Sequence, residues 1–193
     1  PTASLQLTGV FEQIGSDVWL GADITTTQDS IHFGGDITLI ESVSLDTGDA
    51  LANGSQVVRF GGTVDSATTG LFAGPHALSV DAGGGSLLLM GDAGSLGQLA
   101  QLTLRGRATT IQSVYTTGQQ TYTADTLTLQ GAELVSSIGG RIQVMGDALP
   151  ASSFAGNTIL ESDVFVQTAG AAGDDVVFRG TVDSMTQGGH ALM

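Results

Sequence analysis

Val57-Val58-Arg59-Phe60-Gly61-Gly62-Thr63-Val64-Asp65-Ser66 returns near the C-terminus as Val176-Val177-Phe178-Arg179-Gly180-Thr181-Val182-Asp183-Ser184. The echo is flanked by others. Thr38-Leu39-Ile40-Glu41-Ser42 matches Thr158-Ile159-Leu160-Glu161-Ser162, and Leu5-Gln6-Leu7-Thr8-Gly9 matches Leu127-Thr128-Leu129-Gln130-Gly131. Gly74-Pro75-His76-Ala77-Leu78 matches Gly188-Gly189-His190-Ala191-Leu192. Self-similarity at a period of roughly 120 residues marks an array of about one and a half copies, and the expectation is a slice of a longer repetitive protein. A shorter echo sets Gly84–Ala93 over Gly139–Ala148 and fits coils of twenty-odd residues each.

Within the quoted stretch, short β-branched and apolar bursts stop at Gly or Asp, the signature of strands. The same rhythm runs through the chain, from Leu5 and Leu7 through Ile31 and Phe33, Leu102 and Leu104, Leu127 and Leu129, to Val176-Val177-Phe178. Helical spacing occurs only around Gly94 to Ala100, where two glycines cut it to a single candidate turn. The chain is therefore predicted to be all-β. Most connections are glycine kinks inside a continuing strand pattern, such as Gly34-Gly35, Gly61-Gly62 and Gly139-Gly140, and hairpin turns are few (Asn53-Gly54). Such kinks turn corners in a solenoid without reversing the strand direction. On that reading the chain makes roughly eight coils, each adding ~4.8 Å to a rod about 40 Å long. The coils would form a single segment over residues 1–193.

Composition narrows the partners. Nineteen acidic residues stand against five basic ones, Arg59, Arg105, Arg107, Arg141 and Arg179, for a net charge of −14. There is no lysine and no cysteine. A surface of that sign offers nothing to nucleic acid or anionic lipid, and no apolar run reaches the length of a membrane span. Neither disulfides nor thiolate chemistry can contribute.

Few residues suggest chemistry. Asp65 and Asp183 recur in Gly-Thr-Val-Asp-Ser, and Asp92 and Asp147 follow Gly in a similar way. Each is read first as a corner residue bonding its own backbone in an Asx-turn, and second as a cation ligand. Asp174-Asp175, and Asp46 with Asp49, are the densest acidic spots, and oxygen-rich loops suit Ca²⁺. Adjacent carboxylates in a strand point to opposite faces, so the expectation is no cofactor, with Ca²⁺ as the alternative. His76 and His190 recur within Gly-x-His-Ala-Leu, without a third group to complete a ligand or catalytic set. Tyr115 and Tyr122 are the one obvious aromatic pair outside the apolar columns, candidates for stacking on a glycan. No nucleophile elbow, phosphate loop or zinc spacing is present, and the chain is not expected to be an enzyme.

Ile31-His32-Phe33-Gly34-Gly35-Asp36-Ile37-Thr38-Leu39, the Val57–Ser66 stretch with His76–Gly84, and Val114–Leu129 together resemble the repeats of filamentous-haemagglutinin-type exoproteins and related giant bacterial surface adhesins. The resemblance runs from about Leu5 to Met193. It implies a right-handed parallel β-helix exported to the bacterial surface and working as the structural shaft of an adhesin or extracellular fibre. Self-association through head-to-tail stacking of the ends goes with that role. The alternatives are a glycan- or surface-binding β-helical module and, further off, a polysaccharide lyase or hydrolase on the same scaffold.

Overall fold

The structure, a computed structural model, describes residues 3–48, 54–146, 148–149, 152–153, 156–170, 172–185 and 189–193. Asn53, Asp49 and Asp147 lie outside them. The chain is all-β, and among the described residues there is no helix. Two long sheets, each of eight parallel strands, dominate. The first runs through Ala3–Leu7, Ala22–Thr26, Val43–Asp46, Leu78–Asp81, Leu102–Arg105, Gln120–Thr123, Ile142–Met145 and Val176–Phe178. The second runs through Phe11–Gln13, Ile31–Phe33, Val57–Phe60, Ser86–Leu89, Ala108–Ile111, Thr126–Leu129, Asn157–Leu160 and Val182–Ser184. The chain passes from a strand of the first to one of the second, then commonly through a third face, and returns to the first one strand further along.

The third face is less regular. Val18–Leu20, Ile37–Leu39 and Val64–Ser66 form one parallel set, and Val114–Thr116, Glu133–Ser136 and Phe165–Gln167 another. Ala93 links the two by single bridges to Val64 and Val114. A short antiparallel pair, Ala148–Leu149 with Ser152–Ser153, is the one departure from parallel pairing among the described strands.

Alternation explains why these segments are strands. In Leu102-Thr103-Leu104-Arg105 both leucines are buried and Thr103 faces out. Parallel pairing in register then stacks the inward residues into columns. Ile24, Leu45, Val80, Leu104, Tyr122 and Val144 form one such column in the first sheet, and all are buried. On the second sheet Phe33, Phe60 and Leu89 stack. The third face contributes Ile37, Val64, Ala93, Val114 and Leu134. The core is these columns pressed together, a few residues wide and running the length of the sheets.

At the corner between the second sheet and the third face, glycines stack as the side chains do elsewhere. A Cβ on Gly62 would sit 2.8 Å from the carbonyl carbon of Gly35, and one on Gly91 would sit 2.6 Å from that of Gly62. The backbones approach so closely that no side chain fits between them. The double-glycine kinks of the sequence are thus corners, as expected. The Gly94 to Ala100 stretch is not a helical turn. Its residues 94–98 loop out of the ladder between Ala93 and Leu99, which alone bridge to the next strand there, and fold back onto the Val64–Ser66 strand, where the Gly97 carbonyl accepts from the Ser66 amide.

Polar groups enter the core as well, Thr109 and Thr158 among them, and the largest belongs to Tyr122. Tyr122, read from the sequence as an external stacking residue, points inward and is wholly buried. Its hydroxyl donates to Gln120 Oε1 at 2.8 Å, and Gln120 Nε2 donates in turn to the Val135 carbonyl at 2.9 Å and to Thr116 Oγ1 at 3.2 Å. Alternation places Gln120 and Tyr122 on the same inward side, and the network satisfies both polar ends.

Burial pushes the Tyr122 phenol above its usual range. A folded state that holds the proton more tightly than the unfolded chain keeps its full advantage below the ordinary phenol value of about 10 and loses it as pH climbs towards the folded value. Stability is therefore expected to fall above about pH 10. The phenolate absorbance of Tyr122 should appear together with unfolding. Reversible ionisation of both tyrosines near pH 10 in the folded protein would place Tyr122 outside the core.

Candidate functional site

The corner aspartates have a structural job, though not quite the expected one. Asp46 and Asp81 do accept from amides two residues on, Gly48 and Gly83, each at 2.7 Å. Others reach across to the neighbouring strand. Asp36 Oδ1 accepts from the Thr63 amide at 2.7 Å, Asp92 Oδ1 from Ser113 at 3.2 Å, and Asp23 Oδ1 from Ser44 at 2.7 Å. Asp36 and Asp92 cap amides that the ladder leaves over at corners, whereas Asp23 and Ser44 lie within neighbouring strands.

The candidate cation ligands are not brought together. Asp174 Oδ1 accepts from the Gly140 amide at 2.7 Å, while Asp175 faces solvent and pairs with Arg141 at 3.3 Å. Asp183 is exposed on the second sheet, opposite Ile159. Asp65 lies on the third face. Among the described residues, no three His, Asp or Glu side chains converge on a point where a metal ion could be held.

The two histidines occupy matching places. The His76 amide donates to Ser66 Oγ at 2.9 Å, and the His190 amide to Ser184 Oγ at 3.0 Å. Ala77 donates to Ser42 Oγ and Ala191 to Asp163 Oδ1. The ring of His76 reaches the Phe72 carbonyl, and that of His190 lies 3.7 Å from Asp163. The roles are local loop closures.

Tyr115 faces outward from the third face, where its hydroxyl donates to Glu133 Oε2 at 2.6 Å. That hydrogen bond, with burial and the Glu133 charge behind it, raises its phenol above the ordinary range. Tyr115 and Tyr122 therefore lie on opposite sides of the sheet wall and cannot form a common stacking surface.

The site that the structure does build lies elsewhere on the third face. Trp19 pairs with Thr38, and Thr38 with Asp65, so the three form one outward column over neighbouring strands. Trp19 is 63% exposed. Asp65 is only 5% exposed because the bulged segment folds over it. The amides of Leu96 and Gly97 donate to Asp65 Oδ1 at 2.8 and 3.1 Å. Its other oxygen, Oδ2, is buried and has no hydrogen-bond partner. A cavity of about 300 Å³ opens here, lined by Asp17, Trp19, Asp36, Thr38, Asp65 and Leu96 among others. A second hollow of about 330 Å³ continues from it past Leu96 to Pro75 and Thr117.

Trp19 was legible as a strand residue in Val18-Trp19-Leu20, where three apolar side chains in a row hide which one faces out. The inward column takes Val18 and Leu20, so Trp19 is the one left to solvent. No protein-family profile, curated protein or solved structure matches the chain.

Proposed function

We propose that the chain is a segment of a right-handed parallel β-helix of roughly eight coils whose work is mechanical: a stiff shaft in a secreted bacterial surface adhesin or extracellular fibre, of the filamentous-haemagglutinin type. The observation that carries this reading is the unbroken parallel stacking of eight strands in each of two sheets over a shared core. At ~4.8 Å per strand the stack extends about 34 Å. A right hand is the one that twisted strands adopt in parallel crossovers.

Such an array has no preferred length, because each coil contacts only its neighbours. The outermost strands expose Leu5 at one end and Val176 and Val182 at the other. Neighbouring coils, from the same chain or a second copy, would cover them, which supports head-to-tail stacking. A ligand-binding module on the same scaffold is the second reading, and the cavity beside Trp19 favours it.

Antibodies raised against the chain and applied to intact cells of its source should label filaments projecting from the surface. Labelling that appears only after lysis would defeat the shaft reading.

A further inference from the structure

We propose that the cavity on the third face binds an organic cation: an ammonium or guanidinium group on an alkyl stem, whether a basic protein side chain or a polyamine. The proposal does not depend on the shaft reading, since it rests on one face and not on the length of the stack.

Charge is the first argument. Asp17, Asp36 and Asp65 all line the cavity, and no Arg, Lys or His does. Asp17 and Asp36 hold equivalent places immediately ahead of adjacent strands, each just before the residue that enters the inward column. Asp65 stands two residues along on the next strand, opposite Thr38. Strand spacing and rise put its Cα roughly 8 Å from that of Asp36. The carboxylates are thus spread along a groove.

That spread discriminates between cations. A compact metal ion needs its ligands converged at a little over 2 Å, and no such group of three exists among the described residues. A chain carrying one or two charged nitrogens can satisfy carboxylates set several ångströms apart.

The second, independent observation is Asp65 itself. Its side chain is nearly all buried, one oxygen is held by two backbone amides, and the other has no partner. A buried carboxylate with one oxygen unpartnered is costly, and a cation drawn into the cavity that Asp65 lines would offset its charge. Trp19 supplies the third element. Its exposed indole stands at the far end of the same column, and a ring face attracts ammonium and guanidinium groups.

A neutral sugar fits less well. Its hydroxyls could bond the carboxylates and the Thr38, Thr63, Ser66, Thr68 and Thr69 hydroxyls, but a neutral ligand would leave the charge of three aspartates uncompensated.

Trp19 is the single tryptophan of the chain, so its fluorescence reports on this cavity alone. Titration at low salt with spermidine, and separately with an end-blocked Gly-Lys-Gly peptide, should change the Trp19 emission in a saturable way. The response should weaken as salt is raised. Methyl glucoside should leave it unchanged. A response to spermidine alone identifies a polyamine site, and a response to the peptide alone identifies a side-chain site. Asp65→Asn keeps an acceptor for the two amides and removes the charge, and should weaken binding roughly tenfold or more. Asp17→Asn, at an exposed position, should weaken it about two- to fivefold and serves should the first variant not fold. The proposal is overturned by silence towards both cations at millimolar concentration, by an equal response to methyl glucoside, or by calcium chloride displacing both cations at lower concentration. It is equally overturned by folded Asp65→Asn, or failing that Asp17→Asn, binding as the parent does.

Discussion

Phe33→Ala is expected to destabilise the protein by about 3–5 kcal/mol, and to do so unevenly along the chain. Phe33 is fully buried and stands between two other rings, with centroids 5.2 Å from Phe11 and 5.6 Å from Phe60. The Phe33 and Phe60 planes lie nearly parallel, at 9°. Removing the middle ring leaves a hole that the surroundings cannot close. The strands on either side are fixed by ladder hydrogen bonds at a spacing of ~4.8 Å, so the backbone cannot move in. Little relaxation means a cost towards the upper end for a large-to-small change.

The unevenness follows from topology. Each coil of the stack contacts only the coils beside it, so a weak layer uncouples what lies beyond it. Trp19 sits on the same side of the break as Phe11. In urea, Trp19 fluorescence and far-ultraviolet circular dichroism should report one coincident transition in the parent protein. In the variant the fluorescence change should come first. Phe33→Leu, which refills most of the volume, should cost less than about 1.5 kcal/mol. A loss within about 1 kcal/mol for the alanine variant, with coincident transitions, would show that the stacked rings are not a structural seam.

The inward columns were open to view in the sequence because alternation has a period of two and strands here are bounded by glycine. Ile31 and Phe33, or Leu127 and Leu129, can face only one way if either is to be buried. Where both alternating sets carry apolar or both carry polar residues, the pattern loses its power. Trp19 lies in a run of three apolar residues, and Tyr122 alternates with threonines behind an inward Gln120. Facing direction at both was settled by the neighbouring strands, whose registers no single stretch of sequence contains.

The recurrence of roughly 120 residues teaches the same lesson. Val57–Phe60 lies on the second sheet and Val64–Ser66 on the third face, but Val176–Phe178 lies on the first sheet and Val182–Ser184 on the second. The echo has moved round by one face. What it preserves is local: Ser66 caps the His76 amide as Ser184 caps that of His190, and Val43 and Val164 each bond the carbonyl before the returning segment, that of Ala77 or Ala191. Repeated residues encode a corner and its loop. Their place in the circuit is set by everything wound before them. Asp65 shows the limit most clearly, since the amides that hold it belong to residues 31 and 32 positions further on.

Gly94→Ala should cost about 3 kcal/mol or more, and should disassemble the cavity beside Trp19 as it does so. Gly94 begins the segment that folds over Asp65. Its φ is +78°, a left-handed conformation that costs a residue with a Cβ roughly 1–2 kcal/mol. Space is the larger obstacle. A Cβ at this position would fall inside the shell of the Tyr115 carbonyl oxygen, which belongs to the backbone of the next strand and cannot swing aside. That oxygen also accepts the Leu99 amide at 3.2 Å, and Gly94 itself donates to the Val64 carbonyl at 2.8 Å. Relief of the clash therefore breaks ladder bonds on one side or the other. It also draws the Leu96 and Gly97 amides away from Asp65, leaving a buried carboxylate with neither oxygen held. Gly70→Ala separates the two contributions, because Gly70 has φ +85° and open space around it. It should cost about 1 kcal/mol, from backbone strain alone. Urea unfolding followed through Trp19 gives both values, and the parent emission spectrum should persist in Gly70→Ala and shift in Gly94→Ala. Equal losses in the two variants, with Trp19 emission unchanged in both, would mean that the bulged segment is not held against Asp65 in the way the geometry requires.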